Sequence, residues 1–258
     1  MKKILRLEVS KILSRKSMLV TLIVTSIIFP LGMNVISYLS VTTDKIAEGL
    51  QADQTSLFIF HFIHLYLFLP VWIFIFIGQE FSKGHVNRVV FLQSRKFYFL
   101  SKLFYCFLIS TYFTILGLIT LIIALTTSPY ELLEIGFSYY LVFTIQLFFT
   151  NLAYSLLLLS AVFIIRSPVK SFVIYLVWGF LEGMIILLMR FYSIDFAFLP
   201  IQLVRSLYVR NGIPQSEDFY SWTIHDIGTI TIPILFVTFL TLVTYRIFQK
   251  RDIKALSD

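Results

Sequence analysis

YFLSKLFYCFLISTYFTILGLITLIIALTT, residues 98–127, decides what kind of fold this chain can have. Its only charged residue is Lys102, close to its start. An uninterrupted apolar stretch of about 20 residues crosses a bilayer as a helix, because a helix satisfies its own backbone groups where no water can. This one is long enough to tilt or protrude. The same pattern recurs along the chain. We read six spans, at about 18–40, 56–78, 98–127, 136–165, 169–189 and 226–248. Pro30, Pro70 and Pro233 fall inside spans, where kinks are tolerated. The fourth and fifth spans join through Arg166-Ser167-Pro168, which reads as a tight turn. The expected fold is all-α and polytopic, one transmembrane domain over 1–258.

Composition agrees with this reading. The chain is 58% hydrophobic and 14% charged, with a mean hydropathy of +0.87, whereas soluble domains carry about 25% charged residues. A single cysteine, Cys106, excludes an intramolecular disulfide framework and a cysteine-rich metal site. The net charge of +7 would suggest nucleic acid in a soluble protein. Here its distribution speaks instead for orientation. Of the 21 Lys and Arg, 17 fall in the N-terminal tail, the 79–102 segment, the 166–170 turn and the C-terminus. Lys45, Arg190, Arg205 and Arg210 lie in the other set of loops, with nine of the 14 acids. Positive loops stay in the cytoplasm. Both termini are therefore expected there, in a multi-pass protein of the inner (cytoplasmic) membrane, with no nucleic-acid partner. The apolar run after the basic N-terminus is too long for a signal-peptide core and has no clear cleavage site, so it is expected to stay attached.

Three pieces outside the spans stand out. Residues 1–17 read as an amphipathic helix with Leu5, Val9, Ile12 and Leu13 on one face, lying on anionic lipid. It is a topogenic anchor or also touches a cytoplasmic partner. The loop 190–225 contains FAFLPIQLVRSLY, which reads as a re-entrant or surface helix over about 195–210. The third piece is GQEFSKGHVNRVVFLQSRKFYFLSK, residues 78–102, between the second and third spans. Gly84 permits a sharp change of direction. Val86, Val89 and Val90 then follow at i, i+3, i+4, with Arg88 on another face. Read from the residues alone, this is a solvated basic loop or a short helix lying across the cytoplasmic end of the spans.

The order Glu80, Gly84, a short helix, Arg95 and Lys102, between spans two and three of six, resembles the type-2 ABC exporter permease family. The N-terminal Glu8, Lys11 and Arg15 and the tail Arg251-Asp252 are further points of likeness. His85 stands where the family often has Thr, and Gln93 where Pro is common. The resemblance implies that Glu80, Gly84, His85, Arg88, Val89, Arg95 and Lys102 form or flank a coupling helix that docks on a separate ABC ATPase subunit. This chain contains no G-x-x-x-x-G-K-[ST] motif, so it has no P-loop of its own. ATP and Mg would be bound by the partner, and no cofactor by this chain. Six spans are half of the family's usual twelve, which implies a second permease copy or a paralogue.

Polar residues inside spans are the remaining candidates. Glu182 is an acid well inside the fifth span, where a charge costs about 2.5–3.5 kcal/mol or more. Gly179 and Gly183 form a G-x-x-x-G beside it, a pattern that permits close backbone approach. With Asn151, these residues are expected in a substrate path or a dimer interface, or Glu182 is structural and hydrogen-bonded to a neighbouring helix. Gln146, Asn151 and Asn34 are read as bonding across helices. His61 and His64 share a face at i, i+3, but no third ligand accompanies them, and packing is the preferred reading. No HExxH, no G-x-S-x-G and no paired carboxylates within a span point to an intramembrane enzyme. A non-transporting immunity or assembly factor is the other alternative.

Overall fold

The structure, a computed structural model, describes residues 10, 16, 19–27, 30–32, 68–82, 94–127, 137–191 and 224–250. They are helical throughout, apart from residues 94, 166 and 167. In chain order α1 (Leu69–Trp72), a π-helical turn (Ile73–Ile77) and α2 (Gly78–Ser82) follow one another directly. Then come α3 (Arg95–Thr127), α4 (Phe137–Ile165), α5 (Pro168–Phe191) and α6 (Ile224–Lys250). Stretches of α3, α4, α5 and α6 are long and apolar enough to cross a membrane, while Leu19–Gly32 and Leu69–Phe81 are shorter apolar helices. The described residues are thus helical with no strand among them, and the four long apolar helices make the chain a multi-pass membrane protein. The N-terminal helix apart from Ser10 and Lys16, Asn34, the His61–His64 pair, the 195–210 segment and the Arg251-Asp252 tail lie outside the described residues.

The chain forms two compact units. The first comprises residues 1–68 and 107–148. Its helical residues 19–27 are fastened to α3 by Tyr112, whose hydroxyl lies 2.7 Å from Thr25 Oγ1 and 2.8 Å from Ser26 Oγ. The same hydroxyl donates to the Leu22 carbonyl at 3.0 Å. Other hydroxyls bond back to the carbonyl four residues earlier, as in Thr111 to Phe107, Thr114 to Ser110 and Thr120 to Leu116. This satisfies a polar side chain without leaving the helix, which is what an apolar setting demands.

The second unit comprises residues 69–106 and 149–258. The π-helical turn holds one residue more per turn than the α-helix around it. It rotates the face that α2 presents by about 100° relative to an uninterrupted α-helix. α3 begins at Ser94, whose hydroxyl accepts the Phe97 N–H at 3.2 Å and whose carbonyl accepts the Tyr98 N–H at 3.1 Å. Ser94 has φ 132°, a conformation that L-residues rarely adopt and that these two bonds help to hold. α4 ends where Arg166 takes a left-handed φ of 60°, with its N–H on the Val162 carbonyl at 2.7 Å. Ser167 then caps α5 and Pro168 opens it, so two non-helical residues reverse the chain.

Candidate functional site

The centre of the second unit is a ring of aromatic residues around Phe163 of α4. Its ring centroid lies 5.1 Å from Phe81, 5.2 Å from Phe99 and 4.9 Å from Phe248, in edge-on arrangements favoured by the ring quadrupoles. Tyr98 joins this cluster from α3, 5.9 Å from Phe163 and 5.9 Å from Phe248. α2, α3, α4 and α6 therefore meet at one place.

Beside this cluster sits an ion pair. Lys102 Nζ lies 3.0 Å from Glu80 Oε1 and 2.9 Å from Oε2, and the Tyr98 hydroxyl donates to Oε2 at 3.0 Å. Both charges are inside, Glu80 4% and Lys102 1% exposed. The ammonium also lies 5.3 Å from the Tyr98 ring centroid and 5.9 Å from that of Tyr105, within cation–π range. A buried pair is favourable only when good geometry and further hydrogen bonds offset the desolvation of both ions. Here the carboxylate receives three contacts from two donors. Tyr98 and Lys102 are i, i+4 on α3, which puts both donors on one face. That spacing is visible in the sequence, but as one aromatic among many Tyr98 carries no signal of its own.

Two further contacts tie the same region to α5 and α6. Arg95 Nη1 donates to the Phe248 carbonyl at 3.5 Å and also to the Gln249 carbonyl, so the first residue of α3 caps the end of α6. A Cβ built on Gly78 would lie 2.7 Å from Pro168 Cβ and 2.8 Å from its Cα. Glycine is what allows α2 to approach the start of α5 so closely. Phe74 of the π-helical turn extends that contact, 6.0 Å from Phe172 and 5.7 Å from Tyr175 between ring centroids.

The structure thus brings together Glu80, Lys102 and Arg95, three of the residues implied by the family resemblance. In the chain they flank residues 83–93. Gly84, His85, Arg88 and Val89 fall within that stretch and lie outside the described residues. Glu80 and Lys102 are interior residues with each other as partners, so neither presents its charge on a surface.

The second candidate group is not a single cluster on one face. Glu182 is 3% exposed and accepts a hydrogen bond from the indole Nε1 of Trp178, one turn earlier on α5. Gly183 is exposed, with nothing within 4 Å of a Cβ built on it. Glu182 and Gly183, neighbours on α5, therefore do not share a face. Adjacent helical residues point about 100° apart, and here one lies inside and the other outside. Gly179 is half-buried, and Asn151 on α4 is fully buried. Near Asn151, Cys106 Sγ lies 3.7 Å from the Ser155 carbonyl, linking α3 to α4. Among the described residues, no cluster of His, Cys, Asp and Glu could hold a metal ion.

No family model, curated protein or solved structure matches the chain. The functional reading therefore rests on the residues and the geometry given above.

Proposed function

We propose that this chain is the transmembrane permease subunit of an ATP-driven ABC transporter, an exporter that works as a dimer with a separate ATPase subunit. It has six spans, with Leu19–Gly32 and Leu69–Phe81 belonging to the first two, and both termini in the cytoplasm. Residues 83–93, carrying Gly84, His85, Arg88 and Val89, form the docking element for the ATPase.

The observation that supports this reading is the buried Glu80–Lys102 pair. A segment that transmits force needs both ends rooted in rigid structure. In the chain, residues 83–93 follow α2, which carries Glu80, and precede Ser94, Arg95, Tyr98 and Lys102. The ion pair ties α2 and the start of α3 to one aromatic cluster. From there, Gly78 against Pro168 leads to α5, and Arg95 on the last carbonyls leads to α6. A push on the docking segment would reach both helices through packed contacts.

The test is co-purification of the tagged chain from its native membrane with an ATP-hydrolysing partner. Arg88→Glu should reduce the amount of ATPase recovered while membrane insertion and thermal stability stay unchanged. Failure of the unaltered chain to bring down any ATPase would remove the transporter reading.

A further inference from the structure

An apolar cavity of about 210 Å³ opens on the second unit between α4, α5 and α6. A single water needs about 10–15 Å³ on this measure, so the space takes a chain of atoms. From α5, Ser171, Ile174, Tyr175 and Trp178 line it at i, i+3, i+4 and i+7, opposite Ala161 of α4 and Leu240 of α6. Its polar edges are mostly closed off. Tyr175 and Tyr154 share a hydrogen bond at 2.5 Å, Trp178 donates to Glu182, and Ser160 bonds back to the Leu156 carbonyl. Ring faces and aliphatic groups remain to meet an occupant. Ser171 differs. It is fully buried, and its hydroxyl makes no hydrogen bond among the described residues.

The two ends of the cavity differ in charge. Ile174 lies four residues beyond Lys170, so Lys170 stands on the same side of α5, one turn nearer the Arg166–Ser167 turn. Lys170 is exposed, Arg166 lies close by in sequence, and the positive end of the α5 dipole is there too. Moving from the turn into the helices, a ligand would meet positive charge, then a hydroxyl, then an apolar trough. An anionic glycerophospholipid has this order: phosphate, ester carbonyl, acyl chain. The medium outside the cavity agrees, because Val173, Val177, Phe180 and Leu181 on α5 and Leu235, Phe239 and Leu242 on α6 face outward.

We propose that this cavity binds one acyl chain of an anionic phospholipid, with the phosphate on Lys170 and an ester carbonyl accepting from Ser171 Oγ after rotation about χ1. On the orientation given above, the lipid belongs to the cytoplasmic leaflet. The inference rests on the membrane setting and orientation of the proposed function but not on its ATPase, so a failed co-purification leaves it standing.

The experiment is native mass spectrometry of the full chain, purified in detergent and exposed to phosphatidylglycerol or phosphatidylcholine. The unaltered chain should retain phosphatidylglycerol preferentially. Lys170→Ala, at an exposed site, should cut that retention about fivefold, the effect of one basic residue beside an anionic surface. Ala161→Phe should fill the trough and abolish retention of both lipids. If Ala161→Phe fails to fold, Ser171→Val serves as the second variant and should lower retention of both lipids. Equal retention of the two lipids by the unaltered chain, or no change with Lys170→Ala, would overturn the proposal. So would a change of oligomeric mass in the variants at constant lipid retention, since a second copy would then be the occupant.

Discussion

At the scale of single residues, the Glu80–Lys102 pair separates two roles that the sequence left merged. A charge that docks on a partner must be exposed, and these two are not. Their pairing joins α2 to α3. The expected consequences differ between losing one charge and losing both. Glu80→Ala leaves a buried ammonium without its carboxylate, and Lys102→Ala leaves a buried carboxylate without its ammonium. Each should cost about 3–5 kcal/mol. Tyr98→Phe removes one hydrogen bond to the charged carboxylate and should cost less, about 1.5–3 kcal/mol. Replacing both charges together, as Glu80→Met with Lys102→Met, should restore much of the loss, because no charge is then left without a partner. Thermal unfolding of the purified variants in one detergent ranks all four. A double variant no better than the singles would show that the pair's geometry, rather than charge balance, stabilises this place.

At the scale of elements, the contact of α2 with α5 depends on the missing side chain of Gly78. Pro168 is the first residue of α5, and its ring cannot swing aside as a flexible side chain would. Gly78→Ala should therefore push α2 and α5 apart, at a cost typical of overpacking, about 1–3 kcal/mol. A lowered unfolding temperature, with faster hydrogen exchange at the start of α5, would record it. Unchanged exchange would mean that the helices absorb a methyl group without moving. Much at this scale was readable from sequence. The stretch expected at 98–127 is α3, Arg95–Thr127, and that expected at 136–165 is α4, Phe137–Ile165. The stretch expected at 169–189 is α5, Pro168–Phe191. Long apolar runs and the Arg166-Ser167-Pro168 turn carry strong local signals. The differences fall at the ends, where Arg95 and Lys96 are polar yet helical because Ser94 caps the helix before them. Two features had no local signal. A π-helical turn leaves no composition of its own in IFIFI. The need for glycine at 78 comes from a residue far away in the chain. The Glu80–Lys102 pairing was half legible. The family resemblance singled out both residues, but nothing in it says that they meet.

At the scale of the whole molecule, the proposed orientation is a claim about charge. It places 17 of the 21 basic residues on one side of the membrane, although the net charge alone, +7, says nothing of sides. Six spans and four make the same prediction for the termini, since both are even, so locating the termini does not separate the two counts. The loop between the first two spans does. With six spans, residues 41–55 are extracytoplasmic. Without the first two, they stay on the side of the termini. Cys106 is buried, and serine can keep a contact with the Ser155 carbonyl, so Cys106→Ser gives a background free of cysteine. Single cysteines at Gln51, at Ser216 in the loop before α6 and at Ser257 near the C-terminus then report sides through a membrane-impermeant maleimide. In intact cells with any outer barrier opened, Gln51→Cys and Ser216→Cys should label, and Ser257→Cys should label only after the inner membrane is permeabilised. Labelling of Ser216→Cys without Gln51→Cys would leave α3 to α6 as the only spans. The Glu80–Lys102 pair would then have to be built by a helix that enters the membrane without crossing it. Labelling of Ser257→Cys in intact cells would invert the orientation. It would place the 83–93 segment outside, where no ATPase could reach it.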